Sequence, residues 1–574
     1  MEPGAEILVK CLEKEGVEII FGYPGGAALE IFDSLHKSPK IKTVLVRQEQ
    51  GAAHAASGYA RTSGKIGVCL ATSGPGATNL ITGVATAYMD SIPLVIITGQ
   101  VPTGMVGTDA FQEEDTTGIS EPITKHNYLV KDAKQLPRII KEAFYIAGSG
   151  RPGPVLIDIP KDVSFSQVKY VECNSVELRG YKPNLVGHKR QVKQVLEHIS
   201  KAKRPLICAG GGAISAQAEE ELLQLVEKLN IPVVNTMMGL GSIPREHSLS
   251  LGMVGTYGLA KANLAVQSCD LLIALGMRFD DRVTGCVKKF APQATIIHID
   301  IDSAEIGKNI RVDTPLVGDL KIILKQILED INEDTRDIFE EKKEAWWLEL
   351  KNAHVLPAQT ETLNAARGLT PEKVFLALNK FLPEDAIITT DVGQNQMWAA
   401  QILNVQKPRT FISSGGLGTM GYGIPAGIGA QMAFPQRPVI VITGDGSFQM
   451  GMSELGTCLD EELPLKIIII NNRSLGMVKQ LQDLYCEGRH VSVHFKRVPD
   501  FRYLAQAYGA LSLRVEKQEE LAENLEKFLS YSGLVILEIM LSTSHNVYPV
   551  VLGGKGLDEM TWGDVEQDNK EVGE

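Results

Sequence analysis

The sequence predicts an α/β chain built from three doubly wound, parallel-sheet domains. Short apolar runs of strand length, such as "PLVIIT" and "LKIIII", alternate with helical patterns along nearly the whole chain. That alternation is what parallel strands with crossover helices produce. Two polar stretches, 166–190 and 328–368, lack a core period and separate segments at 1–165, 190–325 and 369–545, with a tail at 546–574. A length of 574 residues is enough for about three or four hydrophobic cores.

The first and third segments share a pattern. "VCLATSGPGATNLITGVATAYMDSIPLVIITG" and "VIVITGDGSFQMGMSELGTCLDEELPLKIIIINN" each run strand, glycine turn, helix, then "PL" opening another strand. The interval from Gly74 to Pro93 nearly equals that from Gly444 to Pro464. Upstream, Glu49 stands before Gly74 at almost the spacing that Met420 keeps before Gly444. Matched spacing implies two related domains that each supply part of one site. The plainer alternative is two ordinary βα units of common length.

Composition excludes several classes. A net charge of -12 argues against a nucleic-acid partner, which wants a basic stripe. The eight cysteines are scattered without C-x-x-C pairs, which points to reduced thiols rather than a disulfide framework or a zinc site. The start of the chain goes directly into an amphipathic helix and a strand, without the pattern of a signal or transit segment. No apolar run reaches membrane-spanning length. A cytoplasmic protein is expected. The charge run within 328–368 reads as a solvated helix face.

The third segment carries the sharpest chemical signal. Strand "VIVIT" ends at Gly444-Asp445-Gly446, with a helix expected from about Ser447, and strand "LKIIII" ends at Asn471-Asn472. Amides at a helix N-terminus face an anion, and ligands of parallel sheets sit beyond the carboxyl ends of strands. If the two strands are neighbours, a carboxylate and an amide oxygen converge. With a backbone carbonyl and two phosphate oxygens they would complete an octahedral Mg²⁺ site. Alone, each feature has a structural reading, a glycine turn and a strand-end cap. It is their separation by the single run from Ser447 to Ile470 that links them.

G-D-G followed by N-N at this interval resembles the signature of thiamine diphosphate (ThDP) enzymes. The resemblance implies Asp445, Asn472 and the backbone carbonyl of Ser474 as metal ligands. It also implies a pyrimidine-binding domain paired with a related diphosphate-binding domain from another subunit, and so at least a dimer. Glu49, which follows a strand and heads a small-residue helix, falls where the family has the glutamate that activates the aminopyrimidine. Such a group needs a water-poor setting. Gly26 would let backbone approach the ring, and Met420 would prop the bent cofactor. Gln394, Asn395, Gly418, Gly444, Gly446, Ser447, Gly476, Met477 and Val478 complete the expected ThDP contacts.

"VPTGMVGTDAFQEEDTTGIS", "LGMRFDDRVTG" and "TTDVGQNQMWAAQ" resemble the large catalytic subunit of the acetohydroxyacid (acetolactate) synthase family. "GTMGYG", "LGMVKQ" and "NVYPVVLGGKGLDEM" agree, and the match covers essentially the whole chain. It implies condensation of two 2-oxo acids with loss of CO₂, pyruvate with a second pyruvate or with 2-oxobutyrate, in branched-chain amino-acid biosynthesis. Arg282 would bind the acceptor carboxylate. Phe111, Gln112 and Lys161 would line the pocket or its channel. The middle segment would bind FAD in a structural role, through Arg151, Gly210, Gly211, Gly212, Thr236, Met237, Gly276, Arg278, Arg282, Val283, Asp300 and Asp319. A homodimer or dimer of dimers is implied, and a separate small regulatory subunit is left open.

Departures from the family pattern bear on specificity. Asn395 stands where the family usually has histidine; an amide can donate to a phosphate oxygen but carries no charge. Leu481 replaces the tryptophan that recognises the extra methyl of 2-oxobutyrate, and Val254 replaces a common histidine. These leave open a pyruvate-preferring relative or a catalytically silent, ThDP-binding regulatory paralogue. Pyruvate oxidase and glyoxylate carboligase share the fold, but the latter should lack Glu49.

Overall fold

A computed structural model describes residues 1–331, 346–350 and 368–563. Most of the expected charged helix and the last part of the expected tail lie outside the described residues. Among those described, three six-stranded sheets dominate, and every pairing within them is parallel.

The N-terminal sheet runs Lys42–Leu45, Ile19–Gly22, Gly67–Ala71, Leu94–Gln100, Val155–Pro160, His126–Leu129. The C-terminal sheet runs Phe411–Ser413, Ile387–Thr390, Val439–Gly444, Lys466–Asn471, Val535–Met540, Leu511–Val515. Numbered within each set, both read 2-1-3-4-6-5. That shared order is far more specific than matched spacing, and it supports the internal repeat.

The central sheet differs. Its strands run Ser250–Met253, Val233–Asn235, Pro205–Ala209, Leu271–Leu275, Thr295–Asp300, Thr314–Val317. That is order 3-2-1-4-5-6, whose reversal between strands one and four opens a crevice suited to a dinucleotide. Gly210 and Gly276 follow those two strands directly, and Gly210 N–H donates to Leu275 O at 2.8 Å.

The two related units pack through equivalent helices, Glu49–Ser63 and Gly423–Ala433. Small residues permit the approach. A Cβ at Gly58 would sit 2.1 Å from Ala426 O, and one at Gly429 would sit 1.9 Å from Ala55 O. One hydrophobic cluster accordingly joins Phe21, Ala52 and Leu80 to Ile387, Tyr422 and Ile467. The C-terminal segment is no loose tail as far as residue 563. Val547 joins the cluster that holds Leu240 and Ile470, while Val551 and Leu557 pack into the central unit with Leu272.

Candidate functional site

Strands Val439–Gly444 and Lys466–Asn471 are neighbours, with Gly444 paired to Ile470. This brings Asp445 and Asn472 to the same sheet edge. The helix starts at Asp445 itself, slightly earlier than expected. Asp445 is buried, and its Oδ2 has no hydrogen-bond partner. Burial pushes its carboxyl up to about 7, against the pull of backbone N–H groups including those of Asn472 and Gly446. A buried acceptor with nothing to accept is costly unless a cation or donor arrives.

The donors around it suit Mg²⁺. Asn472 Oδ1 accepts from Ser474 N at 3.1 Å and Ser474 Oγ at 3.2 Å, which fixes the amide and the following turn. Among the described residues, no cluster of three His, Cys, Asp or Glu side chains could hold a metal. A site of one carboxylate, one amide oxygen and a carbonyl would need phosphate oxygens to complete it. Only glycine fits beside these donors. A Cβ at Gly476 would meet Gln394 Oε1 at 2.0 Å and Asn472 Nδ2 at 2.6 Å.

Amides line the adjoining wall. Asn472 Nδ2 donates to Gln394 Oε1 at 3.1 Å, and Gln394 Nε2 donates to Gln480 Oε1 at 3.2 Å. Ser447 Oγ donates to Val392 O, Met477 and Val478 begin the next helix, and Gly418 lies exposed at φ +68°. Asn395 behaves differently from the expectation that it could donate to phosphate. Its Nδ2 gives both hydrogens to carbonyls, Asp391 O at 3.0 Å and Ile442 O at 3.2 Å. Oδ1 instead faces the turns at Gly393 and Gly444. With both amide hydrogens on backbone carbonyls, the side chain turns an acceptor toward those glycines.

In the N-terminal unit, Glu49 opens its helix and is 8% exposed. Asn79 Nδ2 donates to Glu49 Oε2 at 2.9 Å. Glu454, from the C-terminal unit, accepts the N–H groups of Arg47 at 3.0 Å and Gln48 at 3.1 Å, anchoring the approach to that helix. Gly26 is exposed with open space at its Cβ position, so steric contact within this chain does not demand glycine there. Phe111 is 88% exposed, Gln112 adopts φ +59° against Gly74, and Lys161 begins a short helix.

The loop carrying Phe111 and Gln112 is tied down by Asp158. This buried carboxylate accepts from Thr98 Oγ1 at 2.7 Å and Gln100 Nε2 at 2.9 Å, and Gln100 Nε2 also donates to Glu114 O at 2.8 Å. Burial pushes Asp158 up to about 7. A carboxyl raised in the folded state stabilises fully below its unfolded pKa and loses that contribution as pH rises through 7. Relative to D158N, the wild type is therefore expected to lose stability by up to about 4 kcal/mol between pH 4 and 8. Paired urea melts across that range measure the difference.

The central crevice opens into a cavity of about 1020 Å³. Arg151, Gly211, Gly212, Thr236, Met237, Gly276, Arg278, Arg282, Val283, Asp300 and Asp319 line it; Gly210 does not. Its glycines are required sterically, since a Cβ at Gly212 would meet Gly276 Cα at 2.6 Å. The same cavity reaches Gly393, Gly415, Gly418, Met477 and Leu481 of the C-terminal unit. Arg282 is largely exposed on its wall, with Nε 3.8 Å from Asp281 Oδ2. That pairing is too open to hold the guanidinium.

Several residues escaped the sequence reading. Asp391 is fully buried, with Oδ1 accepting from Gly421 N at 2.7 Å and Oδ2 from Thr443 Oγ1 at 3.0 Å. It thereby couples the Met420 turn to the strand that delivers Asp445. Glu538 accepts from Asn471 Nδ2 at 2.6 Å. A single acid inside an apolar strand, as in "VILEIM", was the available signal. Asn79 left none, because a helical asparagine is unremarkable.

Comparison with known proteins gives concordant matches. Models described as thiamine pyrophosphate enzyme N-terminal TPP binding domain, central domain, and C-terminal TPP binding domain match residues 3–119, 192–327 and 391–539. The chain is 45% identical to the acetolactate synthase isozyme 3 large subunit of Escherichia coli, covering 98% of each. It is 48% identical to a probable acetolactate synthase large subunit of Methanococcus aeolicus, over 96% of this chain and 94% of that one. It is 46% identical to the acetolactate synthase large subunit of Buchnera aphidicola, over 97% and 98%. With sheet order and full-length similarity in agreement, the chain belongs to the acetolactate synthase large-subunit family of thiamine pyrophosphate enzymes.

Proposed function

We propose that this chain decarboxylates pyruvate and joins the two-carbon unit to a second 2-oxo acid, giving 2-acetolactate from pyruvate and 2-aceto-2-hydroxybutyrate from 2-oxobutyrate. The observation that carries this reading is the unpartnered, buried Asp445 Oδ2 beside Asn472, among turns where Gly446 and Gly476 leave no room for a side chain. Asp445, Asn472 and the Ser474 carbonyl would hold Mg²⁺ and, through it, the cofactor's diphosphate. When bound, ThDP supplies the electron sink for breaking a carbon–carbon bond next to a carbonyl. Glu49 holds and moves a proton at Oε1 while Asn79 keeps Oε2 in place. Arg282 offers a free guanidinium to the acceptor carboxylate.

Two copies of the chain would be needed for one site. Asn79 holds Glu49 and Thr86 holds Thr419, beside Met420. Both anchors lie on helix Pro75–Met89, two turns and so about 10 Å apart along its axis. As the pairing of domains from different subunits in the family implies, Glu49 and Met420 of one chain would serve different cofactors. Exposed Phe111, Leu29 and Met450 offer apolar surface for a second copy. The central crevice would hold FAD as a structural group, and a small regulatory subunit would bind elsewhere, as the "large subunit" names of the relatives imply. The test is acetolactate formation by purified protein given pyruvate, ThDP and Mg²⁺, with and without FAD. No product under any condition overturns the reading.

Leu481 lines the cavity wall and is 39% exposed. It presents less apolar surface than an indole would, so 2-oxobutyrate gains little over pyruvate as acceptor. L481W is expected to raise the preference for 2-oxobutyrate by roughly 5–30-fold, worth about 1–2 kcal/mol of added contact. Competition between the two acceptors, with both products quantified, measures it.

A further inference from the structure

The turn that ends helix Pro75–Met89 touches three units at once. Asp90, whose side chain is 1% exposed, accepts from Gly416 N at 2.7 Å and Gly415 N at 3.1 Å, at the base of the turn that carries Met420. Arg61 bridges the same elements: its NH1 lies 3.8 Å from Asp90 Oδ2 and also donates to Ser413 O. One turn earlier, Thr86 Oγ1 hydrogen-bonds Thr419 Oγ1 at 2.7 Å. On the other side, Ser91 accepts from Arg151 Nε at 2.8 Å, and the Arg278 guanidinium lies at Gly416, 3.2 Å from where its Cβ would be. Asp90, Ser91, Arg151 and Arg278 all line the central cavity.

Burial holds the Asp90 carboxyl above the usual carboxylate range, and Arg61 pulls the other way. Its contacts are thus sensitive to whatever repositions nearby cations. Arg151 is also bonded to Glu305 at 2.7 Å, within a central-unit acidic pair that includes Asp302. A group that enters the cavity and engages Arg151 or Arg278 meets the side chains that touch Ser91 and border Gly416.

We infer that Asp90 and Ser91 form a positioning turn that couples occupancy of the central cavity to the shape of the Met420 turn, so that each cofactor strengthens binding of the other. This rests on the proposed cofactor assignments. It gives a flavin that takes no part in the reaction a physical reason to be there.

The test is binding linkage, independent of turnover. Reciprocity requires that FAD tighten ThDP·Mg²⁺ by the same factor that ThDP·Mg²⁺ tightens FAD. The wild type is expected to show roughly 10-fold mutual tightening, read from flavin fluorescence and quenching of intrinsic tryptophan emission. D90N should bring that factor close to one while each cofactor still binds alone. S91G, which tolerates the φ of +57° and removes only the Arg151 contact, should reduce it and covers the case that D90N does not fold. Wild-type affinities that are independent of each other, or undiminished linkage in the variants that fold, overturn the inference. Failure of either cofactor to bind the wild type would instead overturn the functional reading.

Discussion

E49Q is expected to lower kcat by about 10²–10⁴-fold while ThDP·Mg²⁺ affinity stays within a few-fold of wild type. The substitution is nearly isosteric. A glutamine oxygen still accepts from Asn79 Nδ2, so the helix start and its anchoring through Glu454 are undisturbed. What is lost is the ability to take up and release a proton in a pocket with little water, as the 8% exposure of Glu49 requires. Exchange of the cofactor's C2 proton, followed by quench and NMR, should slow in parallel with kcat. Full-speed turnover, or slow turnover with unaltered C2 exchange, would remove Glu49 from the chemistry.

The sequence was most legible where function imposes a rigid spacing. Asp445 and Asn472 could be paired because both terminate adjacent parallel strands, and parallel strands of a βαβ unit have few ways to be arranged. The repeat was visible as spacing, but only the shared 2-1-3-4-6-5 strand order gives it force. The glycines of the central crevice read poorly in one dimension. Gly210 and Gly212 are needed because of Gly276, which lies on a different strand–helix turn.

What stayed hidden is contact made across the fold. Asn79, Asp90 and Asp391 are polar residues in ordinary local settings, and their roles exist only once distant turns are brought against them. The direction of the Asn395 amide was equally unreadable. Type alone says it can donate, whereas the carbonyls of Asp391 and Ile442 decide where its donors go. Which partners an amide takes is set by tertiary placement.

D445N should separate stability from function in opposite directions. Replacing an unpartnered, buried carboxylate by a neutral amide removes a desolvation cost, so the cofactor-free protein is expected to gain about 1–3 kcal/mol at pH 8. Mg²⁺-dependent ThDP binding should weaken by at least about 100-fold, because Asp445 is the one charged ligand of the proposed set. Calorimetry without and with cofactor measures both, and a destabilised apo variant would contradict the burial argument. The variant also decides how sites are assembled. A dimer purified through two different tags, with E49Q on one chain and D445N on the other, contains one intact site if each site takes Glu49 from one chain and Asp445 from its partner. It should then turn over at about half the wild-type rate per dimer, although neither parent does. If both residues served the same cofactor within one chain, every site would carry one defect and the mixed dimer would be as inactive as its parents.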